Sequence, residues 1–124
     1  MRYVHKAGYI YNDLKPDNIM IKNLHVSNSS DLFDNAELSL IDFGFCSKYI
    51  ETLKRKDGSK KFVHVDQKDT DDFKSNMFFA SLDTLKFKTQ SRRDDMVMLS
   101  YMLMTIKNGG EIKGVNQVEV DRTI

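Results

Sequence analysis

The sequence predicts an α+β fold, in which one long buried helix supports a short β-hairpin and the polar loop attached to it. Three observations predict it. Residues 92–107, "RRDDMVMLSYMLMTIK", place Met96, Leu99, Leu103 and Ile106 at helical spacing, and Met98, Met102 and Met104 add apolar surface on other faces. A helix that is apolar on most sides is a buried one. Residues 18–22, "NIMIK", and 38–43, "LSLIDF", run or alternate apolar, as half-buried strands do. Just before the first strand, "IYNDLKPDNIMI" (10–21) sets two acids, two amides and a lysine between apolar ends.

Each element has a local cause. Residues 1–8 read as the last turns of a helix that Gly8 ends as a left-handed cap, with basic Lys6 in the final turn. "NLHVSNSSDLFDNAE" (23–37), rich in Asn, Ser and Asp, reads as a surface loop between the two strands. Residues 47–76 read as a long irregular stretch, basic in "KRKDGSKK" and acidic in "DQKDTDD". A connection of that length is functional or disordered. Ser91 is placed to cap the long helix, and Asp94 three residues on completes a capping box. The polar tail from Gly109 to Ile124 shows little pattern.

Composition excludes several classes of function. The 124 residues suffice for about one domain, and 40% hydrophobic with 30% charged residues is ordinary for a globular chain. A net charge of +1 gives no global electrostatic case for nucleic acid or an anionic membrane. The apolar run from Met96 to Ile106 is too short to span a bilayer, and "MRYVHKAGYI" lacks the apolar core of a signal peptide. Cys46, the single cysteine, precludes an internal disulfide and fits a reducing compartment. A cytoplasmic or nuclear setting is the expectation.

The polar loop carries the chemistry. Asp13 and Asn18 lie five residues apart with Pro16 stiffening the turn, so both side chains can enter one cleft. Asp42 follows an apolar strand and precedes Phe43 and Gly44, the glycine being expected to supply unusual backbone angles there. An acid and an amide from separate segments suit Mg²⁺, which shares its oxygen ligands with phosphates. A nearby lysine neutralises phosphoryl charge, and a second acid can orient a hydroxyl and accept its proton. Positioning and electrostatics of this kind are what phosphoryl transfer needs. An unrelated metal-dependent hydrolase using Asp13 and Asp42 is a competing reading.

"YNDLKPDN" followed by "LIDFG" resembles the catalytic loop and metal-binding segment of protein kinases. The later "FASLDTLKFKTQSRRDDMVMLSYMLM" is similar to the casein kinase I family, with "QSRRDD" (90–95) opening the central helix. The resemblance covers roughly residues 2–107 and leaves the hydrolase reading with no account of "QSRRDD". It implies a partial kinase domain over 1–124: a mainly helical large-lobe fragment whose short β-hairpin carries the catalytic and metal-binding loops, with the ATP-gripping small lobe absent. It further implies ATP and Mg²⁺ as cofactors and a protein substrate offering a Ser or Thr hydroxyl. Asp13 would be the catalytic base, Lys15 would contact the transferring phosphate, and Asn18 and Asp42 would hold magnesium. Asp95 would brace the catalytic-loop backbone, Tyr11 would replace a structural histidine beneath the metal-binding segment, and Phe43 would join the apolar stack linking the lobes.

Departures from the family pattern are equally specific. Tyr11-Asn12-Asp13 stands where the family has His-Arg-Asp, and uncharged Asn12 cannot pair with an activation-loop phosphate. Ser75 and Asn76 replace a glycine and a threonine, and Asp71 and Phe78 stand at places expected to be basic, which argues against a preference for acidic or phosphorylated substrates. An inactive pseudokinase or interaction module is therefore the alternative. Ser59, Thr70 and Ser75 fall on the stretch that the resemblance implies to be the activation segment, where their hydroxyls are candidates for phosphorylation. The 124-residue chain alone is expected to be inactive and loosely packed.

Overall fold

The computed structural model describes residues 1–22 and 36–110, so the readings made for the 23–35 loop and for the tail beyond 110 lie outside the described residues. Helix α1 (Arg2–Lys6) leads into strand β1 (Tyr9–Ile10), and a 3₁₀ turn (Pro16–Asn18) leads into β2 (Ile19–Lys22). Strands β3 (Glu37–Leu40), β4 (Ser47–Lys48), β5 (Ile50–Lys54) and β6 (Lys60–His64) follow, then the short helix α2 (Leu82–Leu85) and the long helix α3 (Arg92–Lys107). The strands form three antiparallel pairs: β1 with β4, β2 with β3, and β5 with β6.

Local chemistry explains the ends of these elements. Gly8, at φ +86°, carries the chain out of α1 through the left-handed region, as expected. Pro16 opens the 3₁₀ turn, where its fixed φ suits the first helical position and no N–H is needed. Ser91 and Asp94 form the expected reciprocal capping box on α3, each side chain accepting from the other's end of the turn. The two expected strands become β2 and β3, paired from Ile19↔Leu40 to Lys22↔Glu37.

Two expectations are corrected. The 47–76 stretch is not irregular throughout: β5 and β6 pair along five positions, from Ile50↔His64 to Lys54↔Lys60. The Asp57-Gly58 pair makes the turn, with Gly58 at φ +81° and Asp57 Oδ1 accepting from Ser59 N at 2.8 Å. With this hairpin, strands contribute nearly as many residues as helices, so the described chain is not mainly helical. The second correction concerns the face of α3. Its buried residues are Asp94, Asp95, Met98 and Met102, while Met96, Leu103, Met104 and Ile106 of the expected core stripe are exposed. The inner face is chosen by two acids, Asp95 accepting from the distant Tyr11 and Asn12 backbone and Asp94 from the Ser81 hydroxyl and the helix's own cap, and not by hydrophobicity alone.

The core is small. Tyr11, Leu14, Phe79, Met98 and Met102 form its buried cluster, with Val4, Ile19, Leu40, Cys46 and Leu99 packed against it. It lies under the 10–18 stretch, so Tyr11 and Leu14 anchor that stretch from below. Among the described residues no helix is long and apolar enough to cross a membrane.

Candidate active site

The β2–β3 pairing brings two distant parts of the sequence to one end of a hairpin. Asn18 immediately precedes Ile19, and Asp42 stands two residues beyond its partner Leu40. The Ile41 N–H donates to the Asn18 carbonyl at 3.0 Å, which continues the ladder past the strands and sets both side chains at the same edge.

Asp13 is buried and held on one side only. Its Oδ2 accepts from Asn18 Nδ2 at 2.8 Å and lies 3.1 Å from Lys15 Nζ. Asn18 Nδ2 also donates to the Asp13 carbonyl at 2.9 Å. Asp13 Oδ1 is buried with no hydrogen-bond partner among the described residues. A buried carboxylate oxygen left unpaired is costly and marks a place where an incoming donor is expected. The structure thus brings Asp13, Lys15 and Asn18 into one contact group, with Lys15 lying on the carboxylate oxygen opposite the unpaired one.

Asp42 is exposed, at φ +56°, and its Oδ1 accepts from Gly44 N at 3.1 Å. This corrects the expectation for Gly44. The left-handed angle belongs to Asp42, a residue type that tolerates it, and not to the glycine. Gly44 instead leaves space, because a Cβ there would crowd Asp42 Oδ1 at 3.1 Å.

Tyr11 joins the two halves. Its ring is fully buried, its hydroxyl donates to the Ile41 carbonyl, and Phe43 meets it edge-on at 5.4 Å between centroids. Burial first, then the nearby charges of Asp13, Cys46 and Asp42, push the phenol up to about 12. The hydroxyl therefore stays protonated and keeps donating at neutral pH. Phe43 is half exposed beyond this contact.

Asp95 fixes the backbone beneath. It has no exposed surface; its Oδ2 accepts from Tyr11 N at 2.9 Å and its Oδ1 from Asn12 N at 2.8 Å. His5 Nε2 stands 2.7 Å from Oδ2 on the third side. Both donors are backbone groups that no strand could satisfy, since Asn12 sits at φ +67°.

Asn12 is the residue whose part the sequence did not reveal. Its buried amide donates to the Phe45 carbonyl at 2.8 Å and to Ser47 Oγ at 2.9 Å. It thereby ties the 10–18 stretch to the chain following Asp42-Phe43-Gly44. An uncharged residue is suited to that closed position; the available signal was an amide between Tyr11 and Asp13, which names no partner. Cys46 packs beside it, and burial raises its thiol's pKa, so it is a poor nucleophile. Ser75 is buried against Met98, which removes it from the accessible hydroxyls, whereas Ser59 is exposed.

A cavity of about 740 Å³ opens on the other side of the loop, walled by His5, Leu14, Ile19, Leu40, Met96 and Leu99. None of Asp13, Lys15, Asn18 or Asp42 lines it, so it is separate from the polar group.

A family model described as the protein kinase domain matches residues 1–112, most of the chain and the whole of this site. The chain belongs to the protein kinase family. Protein kinases transfer a phosphoryl group, and the group around Asp13 falls within the matched stretch of this kinase domain.

Proposed function

We propose that this kinase domain transfers the γ-phosphoryl group of ATP to a Ser or Thr hydroxyl of a protein, with Asp13 as the base. The observation that carries the reading is the buried, unpaired Asp13 Oδ1 opposite an Oδ2 already held by Asn18 and Lys15. A substrate hydroxyl donating to Oδ1 would satisfy that oxygen, and the carboxylate would accept the proton as the oxygen attacks. Neighbouring Lys15, with Nζ 3.1 Å from Oδ2, would face the transferred phosphate.

The residues present fit a magnesium–nucleotide group. Asn18 Nδ2 is committed to Asp13, which leaves Oδ1 as the ligand atom, and Asp42 offers a carboxylate at the same hairpin end. Two protein oxygens suit Mg²⁺, which keeps waters and phosphates as its other ligands. When bound, ATP with Mg²⁺ supplies the phosphoryl group and neutralises its charge; the chain's own residues supply position and the proton acceptor.

Within the family, "QSRRDD" at 90–95 supports a casein kinase I-like, serine/threonine-directed member. Tyr11 and Asn12 do not weaken the reading. Each closes a contact, to Ile41 and to Phe45 and Ser47, that keeps the metal-binding segment on the loop.

The test is Asp13→Asn in protein carrying both lobes of the domain. Phosphotransfer to a serine peptide is expected to fall by at least ~10³-fold while nucleotide binding is kept. Unchanged transfer removes Asp13 as the base. Absence of transfer in the unsubstituted protein favours the non-catalytic alternative.

A further inference from the structure

The β5–β6 hairpin takes no part in the group around Asp13, and its chemistry differs. Lys54, Arg55, Lys56, Lys60 and Lys61 fall within eight residues, and all five are exposed. None makes an ion pair with any described residue. The one acid among them, Asp57, is spent on the turn: its Oδ1 accepts from Ser59 N and Oγ at 2.8 and 2.6 Å. Those bonds hold its carboxyl below the usual carboxylate range.

Register sharpens the point. Lys54 and Lys60 are direct cross-strand partners, a like-charge pair that weakens the hairpin. Edge lysines are a common guard against unwanted strand pairing, but that guard needs one or two charges and does not need two opposed ones. Alternation places Thr52 and Phe62 on the same face as Lys54 and Lys60, and Leu53 with Lys61 on the other. Phe62 is 69% exposed and Leu53 50%. Both outer edges of this two-stranded sheet are free of strand partners among the described residues.

The patch is also bounded. Exposed Asp66, Asp69, Asp71 and Asp72 follow directly in the chain. A long polyanion tracking away from the tip would meet them, whereas a short anionic segment would not. The net charge of +1 gives no wider basic track.

We propose that the β5–β6 hairpin is a docking element for a short acidic protein segment, one that sets Glu or Asp side chains against Lys54, Lys60 and the Arg55-Lys56 turn and an apolar side chain against Phe62. Main-chain pairing along a free hairpin edge supplies affinity, and the lysines supply selection by charge. This stands apart from the catalytic reading, since no residue of the Asp13 group is involved.

The experiment is anisotropy titration of the 124-residue chain with a labelled Glu/Asp heptapeptide carrying one central Phe, beside a labelled oligo-dT of twelve nucleotides. The peptide is expected to bind, to weaken as salt rises and to bind more tightly than the oligonucleotide. Lys54→Glu separates docking from fold. It converts the like-charge pair to an opposite-charge pair, so hairpin amides exchange more slowly, while peptide affinity falls about tenfold. Peptide binding unchanged in K54E, no binding by the unsubstituted chain, or tighter binding of the oligonucleotide overturns the proposal.

Discussion

The 10–18 stretch bearing Asp13 and the β5–β6 hairpin are both built around turns with a left-handed residue, yet they are held in opposite ways. In the first, Asn12 at φ +67° is fixed by a carboxylate more than eighty residues away, and its side chain closes onto Phe45 and Ser47. In the second, Gly58 at φ +81° is fixed only by Arg55, Asp57 and Ser59, its immediate neighbours. One turn is imposed on its residue by the rest of the molecule; the other is chosen by its own sequence. Removing a distant partner should therefore collapse the first and leave the second standing.

The largest break of this contrast is Asp95→Ala. It strips two buried N–H groups and His5 of their acceptor, and removing one charged partner from such a buried group is expected to cost about 3–5 kcal/mol. Urea unfolding checks it, and hydrogen exchange should show the 50–64 hairpin unaffected below the transition. Equal loss of protection in both regions would erase the distinction.

Tyr11→Phe is a smaller break, costing about 1 kcal/mol for the lost bond to the Ile41 carbonyl. It also has a pH signature. The phenol's folded value is raised to about 12 from an ordinary 10, so its contribution is complete below pH 10 and is lost as pH climbs through 12. The unsubstituted chain should lose stability across that window, and Y11F should lose less of it in an alkaline melting series.

The smallest effect is expected at Gly58→Ala. A Cβ there meets nothing within 4 Å, so the cost is conformational alone, about 1 kcal/mol, and confined to the hairpin. Faster exchange of β5 and β6 amides with an unchanged midpoint elsewhere is the expected reading.

The same contrast explains what the sequence could disclose. The capping box of α3 was legible because Ser91 and Asp94 are three residues apart, and the strands flanking the polar loop were legible because their apolar residues recur at short range. Asp13, Lys15 and Asn18, which meet in one contact group, stand close together in one motif of the sequence. The face of α3 was not, since Asp94 and Asp95 are buried by partners at Ser81, Tyr11 and Asn12 that no helical periodicity encodes. Nor was β5–β6, because a hairpin exposed on both faces has no apolar alternation; Asp57-Gly58 was its one strong signal and lay inside a charge run. Gly44 shows a subtler limit: its presence was legible, but whether it served angle or space depended on which neighbour took the positive φ.

The span between Asp95 and the backbone it holds has a consequence during synthesis. Tyr11 and Asn12 leave the ribosome 84 and 83 residues before their acceptor. At about 5–20 residues per second, that is a delay of roughly 4–17 s in which the loop bearing Asp13 has its sequence but not its shape. The arrangement around Asp13 thus waits on residue 95, and a nascent chain stopped before it carries Asp13, Lys15 and Asn18 without the carboxylate that holds the Tyr11 and Asn12 backbone.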